Sequence, residues 1–488
     1  LRGRGFLVTV HSGMPAFSTQ LPKAVILELS RRPEVSAVYL TEKPNQLLLN
    51  SAVPNTLVQR VWERGYDGTG KRIAIVEMDN VDRNNTFLHH AATWRDSVLG
   101  VQNHATFVAS CAASFHDVYK GMAPDATVVS AGENGTAQGL VDGLIWALDV
   151  NQGAADVVNV SEGNISGGDG LWWVDRAYDY WVRQSFRTVI AASGNRNDLN
   201  PQGHIPSPAK AWNVTTVGAY YDNNNVDWSD DSMCAWSCTI NPLSPHQDRE
   251  KPEIVAVGQN VRGKAVGDAD FEDSGTSYAA PQVAGLTALL IDRNVDLRVC
   301  PEVSKAIVMA SANHNIEGPT IIVTGQALND GAGAVNAALA DKIAQTRAYA
   351  GTTCYGPCWW DEMIHSSSFP VGTSIERSFY ASAGDLVRVT ISWFSNPDTP
   401  AEGYATDELD IDLDLWINDP SGQQVPSTLS ASFDNNYEMA EFVASQTGVH
   451  KIIVYKVSDA DDFGYANWCG IALVRLYGAD SAIQMKNY

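Results

Sequence analysis

The sequence predicts an α/β protein built on a doubly wound parallel sheet, with a small α/β unit before it and an antiparallel β-sandwich after it. Three observations point there. Between Trp62 and about residue 345, short apolar β-branched runs alternate with stretches of helical periodicity, the pattern of buried parallel strands joined by helices. After residue 345 the period falls to two and no convincing helix follows. Near the start, residues 5–10 and 35–40 read as strands flanking a helix at 22–31. The 488 residues, 44% of them hydrophobic, suffice for two or three domains, and the expected division is 1–50, 51–350 and 351–488.

In the central part, strands are expected at 72–77, 126–131, 156–160, 187–192, 213–218 and 253–256, and helices at 104–114, 137–150, 171–186, 277–292 and 301–312. Right-handed connections place the carboxyl ends of such strands along one edge, where α/β sheets carry their chemistry. The run IAIVE ends in Glu77, VIAASGN ends in Asn195, and His104 opens a helix of small residues. In SGTSYAAPQVAGLTALL (274–290), Pro281 fits only a first helical turn, so the helix is expected to start at or just after Ser277. The Ser277 hydroxyl then lies at the positive end of a helix dipole.

A serine needs a base to become a nucleophile, the base needs an acid to fix its tautomer, and the tetrahedral oxyanion needs a donor. Ser277, His104, Glu77 and Asn195 fill those roles in that order. Asp79, two residues beyond Glu77, is the alternative acid if the strand continues. A serine cap before a buried helix is the plainer reading of Ser277.

The Ser277 segment matches Gly-Thr-Ser-x-Ala-x-Pro-x-Val-Ala-Gly at every fixed position, and GMAPDA (121–126), VVNVSEG (157–163), AASGN (191–195) and KPEIVA (251–256) extend the agreement over about residues 50–345. On these motifs the chain resembles the subtilisin-like serine proteases, the subtilases. The resemblance implies a general base at His104, an oxyanion donor at Asn195 and a nucleophile at Ser277. It also implies a substrate cleft walled by Ser161, Glu162 and Gly163 on one side and Ala192, Ser193 and Gly194 on the other. Glu162 stands where the family often has an apolar residue, and either favours basic substrate side chains or points to solvent.

Two departures stand out. The family usually has Asp at the position of Glu77, and its His-Gly-Thr-His-Val-Ala-Gly reads HATFVAS here, with Ala105, Phe107 and Ser110 replacing two glycines and a histidine. The sedolisins share the fold and use a glutamate base, but they place an Asp in the oxyanion hole, and this chain keeps His104 and Asn195. The expected activity is peptide-bond hydrolysis with no cofactor required, on protein or peptide substrates. A non-catalytic binding protein on the same scaffold is the competing class, and binding of a polymer or surface through the C-terminal domain is a third.

A net charge of −23 argues against nucleic acid or anionic membrane as a partner. No run of 18 apolar residues occurs. The chain starts at Leu1 without a signal-peptide pattern, so a removed leader and a secreted protein are expected. Seven cysteines fit that compartment, with short-loop disulfides expected at Cys234/Cys238 and Cys354/Cys358, zinc as the alternative, and a buried thiol at Cys111. His89 and His90 read as a surface pair. Glycosylation sequons occur at Asn84, Asn134, Asn159, Asn164 and Asn213, two of them on or beside core strands.

The helix at 22–31 followed by PEVSAVYL resembles the end of a subtilase propeptide, which aids folding and occupies the active site; Thr41–Asn55 is then the cleavage linker. In the C-terminal part, GTTCYGPCWWDE reads as a turn-rich junction, and 384–394, 409–417, 450–457 and 470–477 read as strands of a sandwich similar to the jelly-roll domain of larger subtilases. Asp410, Asp412 and Asp414 share one strand face. A structural calcium shared with Asp434–Glu438 is one reading, and solvated carboxylates are the other.

Overall fold

The computed structural model describes residues 8–10, 17–19, 25, 28–29, 32, 51–165, 168–313, 316, 329–365, 367–460 and 467–476. The chain divides into two compact units, Leu1–Leu47 and Leu48–Tyr488. In the first, β1 (Val8–Val10) pairs antiparallel with β2 (Phe17–Thr19), a strand the sequence did not suggest. Val25, Glu28 and Leu29 are helical, inside the expected helix, and the expected strand at 35–40 lies outside the described residues.

The second unit is built on an eight-stranded sheet. Its strands are β3 (Arg72–Glu77), β4 (His89–His90), β5 (Thr127–Gly132), β6 (Val157–Val160), β7 (Thr188–Ala192), β8 (Thr215–Tyr221), β9 (Ser232–Met233) and β10 (Ile254–Val257). The order is β10-β8-β7-β6-β3-β5-β4, all parallel, with β9 added antiparallel to β8, while β11 (Val261–Lys264) and β12 (Asp270–Asp273) form a separate antiparallel pair. The helices are α1 (Asn103–Ala113), α2 (Ala137–Leu148), α3 (Trp173–Ser185), α4 (Thr276–Arg293), α5 (Pro301–Ala310) and α6 (Ala337–Ala344). Alternation along β3 explains the layers. Ile73 and Ile75 enter one core with α1, α4, α5 and α6, while Ala74 and Val76 enter another with α2 and α3. Because β5 and β6 flank β3 on opposite sides, the chain reverses its winding there, and the crevice this creates opens at the carboxyl end of β3.

Helix α4 runs through the first core, buried from Thr276 to Ile291. It starts one residue earlier than expected, and Pro281 falls in its second turn. An interior proline costs about 3 kcal/mol or more, partly because it orphans a carbonyl one turn back. Here that carbonyl belongs to Ser277, and it accepts from Ser161 Oγ at 2.9 Å. Gly285 lets the helix press close, since a Cβ there would lie 2.6 Å from Met122 Cβ and 2.8 Å from the Ala112 carbonyl.

The C-terminal part forms two four-stranded sheets. One runs β13 (Thr353–Cys354), β15 (Ser374–Ala381), β19 (Gly448–Asp459), β17 (Ile411–Asn418); the other runs β14 (Cys358–Met363), β20 (Trp468–Leu476), β16 (Leu386–Trp393), β18 (Tyr437–Val443). All pairs are antiparallel except β13 with β15. Trp360, Trp393, Leu413, Leu415 and Ile452 fill the space between the sheets. The outer face of β20, with Ala472 and Val474, joins the core that holds α4 and α5. The expected junction at 351–362 is instead two strands, closed by the Cys354–Cys358 disulfide, with Trp359 and Trp360 buried on opposite faces.

Other expectations change. Cys234 and Cys238 are free thiols. Cys234 Sγ faces Gln259 Oε1 at 3.6 Å and Cys238 Sγ accepts from Asn200 at 3.2 Å, because β9 and the turn after it are held by backbone bonds to β8 and Gly194 instead. The surface pair His89 and His90 is as expected, one exposed and one half-buried, with separate partners in Asp125 and the Asn85 carbonyl. The aspartates of β17 belong to neither three-ligand cluster found among the described residues. Asp434 pairs with His246 at 2.9 Å, and Glu438 turns to Ser430 and Ser432.

Candidate active site

The four residues singled out in the sequence meet at the sheet's carboxyl edge, each delivered by a different element. Glu77 ends β3, His104 is the second residue of α1, Asn195 follows β7, and Ser277 is the second residue of α4. His104 Nδ1 lies 3.3 Å from Glu77 Oε2, with the carboxylate buried and the imidazole partly exposed. Asp79 takes another role: its Oδ2 accepts the Ala105 N–H at 3.0 Å and so caps α1 from outside the helix. The acid that pairs the ring is Glu77.

Burial pulls the His104 pKa down, but the Glu77 carboxylate, with smaller contributions from Asp79 and Asp273, carries it up to about 9. Burial raises Glu77 above the usual carboxylate range, against the pull of the imidazole.

Thr276 sets the oxyanion donor. Its N–H and hydroxyl both reach Asn195 Oδ1, at 3.0 and 3.1 Å, and its Oγ1 accepts from the Gly194 N–H at 3.1 Å. With Oδ1 held on that side, the amide's Nδ2 is left as the donor. The Ser277 N–H lies in the first turn of α4, where no intrahelical acceptor exists.

Ser277 and Ser161 form a reciprocal pair. Ser161 Oγ donates to the Ser277 carbonyl at 2.9 Å, and Ser277 Oγ donates to the Ser161 carbonyl at 3.0 Å. Asn159 donates to Ser161 Oγ at 2.8 Å, which fixes the pair from below. In this arrangement the serine hydroxyl is engaged with Ser161, and the serine–histidine bond is not made.

The cleft walls are backed by segments the sequence did not flag. Asn164 exchanges two backbone bonds with Ser207, and Cys238 donates to the Gly194 carbonyl at 3.0 Å. Gly163 and Gly194 both abut Pro206, where a Cβ would come within 3.0 and 2.7 Å of the ring. Ala192 and Ser193 are buried. Glu162 is neither a charged wall nor solvent-facing: its Oε2 accepts from the Met78 N–H at 3.1 Å. Burial, with Glu77 and Glu133 beside it, pushes its pKa up to about 11 and keeps it neutral.

Tyr278 and Asp273 were also missed. Tyr278 donates to Asp273 at 2.7 Å, its ring lies 5.7 Å from that of His104, and Phe107 packs against it at 4.6 Å. Phe107 and Ser110, two of the three altered positions of α1, thus serve packing: Ser110 Oγ accepts from the Lys264 N–H. The sequons at Asn159 and Asn213 are buried. No described helix is long and apolar enough to cross a membrane.

A model described as the subtilase family matches residues 31–341. The chain is 27% identical to the serine protease AprX of Bacillus subtilis over 352 residues, 65% of this chain and 76% of AprX. It is 30% identical to human membrane-bound transcription factor site-1 protease over 293 residues, which span only 26% of that protein. Against subtilisin DY of Bacillus licheniformis it is 28% identical over 255 residues, 84% of the relative. The chain belongs to the subtilase family of subtilisin-like serine peptidases.

Proposed function

We propose that this protein is a secreted serine endopeptidase that cleaves peptide bonds through an acyl-enzyme on Ser277. The observation that carries the reading is the Glu77–His104 pair set against the N-terminus of α4. A substrate strand lies between 161–163 and 192–194, where small residues leave room for its backbone. Ser277 turns about its Cα–Cβ bond from the Ser161 carbonyl toward His104, which takes its proton and returns it to the leaving amine. Asn195 Nδ2 and the Ser277 N–H hold the oxyanion. Glu77 keeps the imidazole in the reacting tautomer. Export is supported by the Cys354–Cys358 disulfide and the strongly acidic surface. Residues 1–50 act as a propeptide, released by cleavage within 41–55, ahead of a catalytic domain at 51–350 and a C-terminal β-sandwich at 351–488.

The engaged Ser277 hydroxyl favours a second reading, a subtilase scaffold that binds peptides without cutting them. A fluorophosphonate distinguishes the two. Stoichiometric labelling at Ser277, lost in Ser277→Ala, supports the peptidase. Chain that has lost residues 1–50 and still takes up no label overturns it. Mass spectrometry of the incubated full chain locates self-cleavage.

A further inference from the structure

A second cluster, of a buried thiol, a buried carboxyl and a half-buried one, lies past the far end of α4. That helix of 18 residues spans about 27 Å, and Ser277 is at its other end. Cys300 caps the N-terminus of α5, and Glu302 is the second residue of that helix. β14 supplies Asp361 on the face opposite its neighbours Trp360 and Glu362, of which Trp360 enters the sandwich. The approach is enforced by Gly470, which pairs with Asp361 across β14 and β20. A Cβ there would lie 2.5 Å from the Val303 backbone, so α5 is pressed onto the sheet.

The result is crowding that is only partly compensated, by a hydrogen bond between Glu302 and Asp361 and by contacts of Asp361 with Cys300 and Arg347. Cys300 Sγ is 3.5 Å from Asp361 Oδ2, and the thiol and one oxygen from each carboxyl lie within 4.8 Å of one another. Glu302 is only 3% exposed, yet its Oε2 has no donor, and neither has Asp361 Oδ1. The nearby cation, Arg347, divides itself between Asp296 at 2.8 Å and Asp361 Oδ2 at 3.6 Å. A cavity of about 300 Å³ lined by Cys300, Glu302, Asp361 and Trp468 borders the cluster.

We propose that Cys300, Glu302 and Asp361 bind a divalent transition-metal ion, zinc by preference, with water from the adjoining cavity completing the coordination. Zinc takes thiolate at about 2.3 Å and carboxylate at about 2.1 Å, so tetrahedral sulfur–oxygen edges come to about 3.6 Å, close to the separation found here. Calcium and magnesium prefer all-oxygen shells and do not explain the thiol. The ion would tie the start of α5 to β14 on the face of β14 that carries Trp359. On binding, Cys300 and Glu302 release their protons to solvent, as ligation requires deprotonated donors. Nothing in this site depends on the triad.

The test uses full-length protein stripped with a chelator and titrated with cobalt(II). The expected result is one equivalent bound, with a sulfur-to-cobalt charge-transfer band in the near ultraviolet that zinc abolishes and calcium does not. Cys300→Ser should lose the band while keeping peptidase activity. Glu302→Gln and Asp361→Asn should keep the band and weaken cobalt binding at least tenfold. Absence of a saturable band overturns the site and leaves a proton shared between the two carboxyls. A band surviving in Cys300→Ser also overturns it, assigning the metal to Cys111, Cys234, Cys238 or Cys469. Should Cys300→Ser fail to fold, the two carboxamide variants decide, since unchanged cobalt affinity in both refutes the proposal.

Discussion

The parallel sheet and the C-terminal sandwich handle polar residues in opposite ways. In the parallel sheet every main strand ends at the same edge, so Glu77, which ends β3, and Ser161 and Asn195, which follow β6 and β7, converge although they are far apart in sequence. In the sandwich, adjacent strands alternate direction except at the short edge strand β13. Its acids are spread along strands, as Asp412 and Asp414 are on β17, and its energy lies in a period-two core of Leu413, Leu415 and Ile417. One arrangement collects chemistry at an edge; the other buries apolar area between faces.

Breaking the edge should abolish turnover without unfolding the chain. Glu77→Gln is expected to lower kcat/KM about 10⁴-fold by leaving His104 without its orienting charge. Asp79→Asn, which removes the cap of α1 and a smaller electrostatic contribution to His104, should cost about 1 kcal/mol of stability and far less activity than Glu77→Gln. Paired steady-state kinetics and thermal melts read both.

Breaking the faces should do the reverse. Trp360→Ala, in the sandwich core, is expected to destabilise by about 3–5 kcal/mol in denaturant titration while triad chemistry at the parallel edge persists in the folded fraction.

The edge can also be weakened at one donor. Asn195→Ala should lower kcat by about 10²–10³-fold with KM little changed, because Asn195 acts on the oxyanion rather than on bound substrate.

The pH profile follows from the Glu77–His104 pair. The base works only when neutral, and the carboxylate holds its conjugate acid near pH 9. kcat/KM should therefore rise about tenfold per unit below that value and level off above it, a limb to be read from pH–rate profiles.

The smallest effect is expected at Glu162→Gln. A neutral carboxyl is replaced by a neutral amide of the same shape, so activity and the preference between basic and apolar substrate side chains should stay within about threefold. A large change in preference would mean that the group is ionised and faces the cleft.

Much of the edge could be read from the chain because its elements are locally specified. β-Branched runs marked β3, β6 and β7, small-residue helices marked α1 and α4, and Gly275-Thr276-Ser277 marked the serine's position. The strands expected at 384–394, 409–417 and 450–457 were legible from alternation and that at 470–477 from its apolar run, whereas β14 was hidden by the Gly and Pro before it, and its two tryptophans look like a junction until both faces have cores to receive them.

What the amino-acid order determined by itself was the set of reacting residue types and the elements that carry them, since strand and helix periodicity are properties of neighbours along the chain. Only the tertiary structure decided which partner each polar group takes. Glu77 rather than Asp79 meets His104, Ser161 holds Ser277 and relieves Pro281, Cys234 and Cys238 stay apart, and Glu162 turns inward to lose its charge. Hydrogen bonding, burial and charge coupling depend on distances of a few ångströms between residues from different elements, and those distances exist only after the layers have packed.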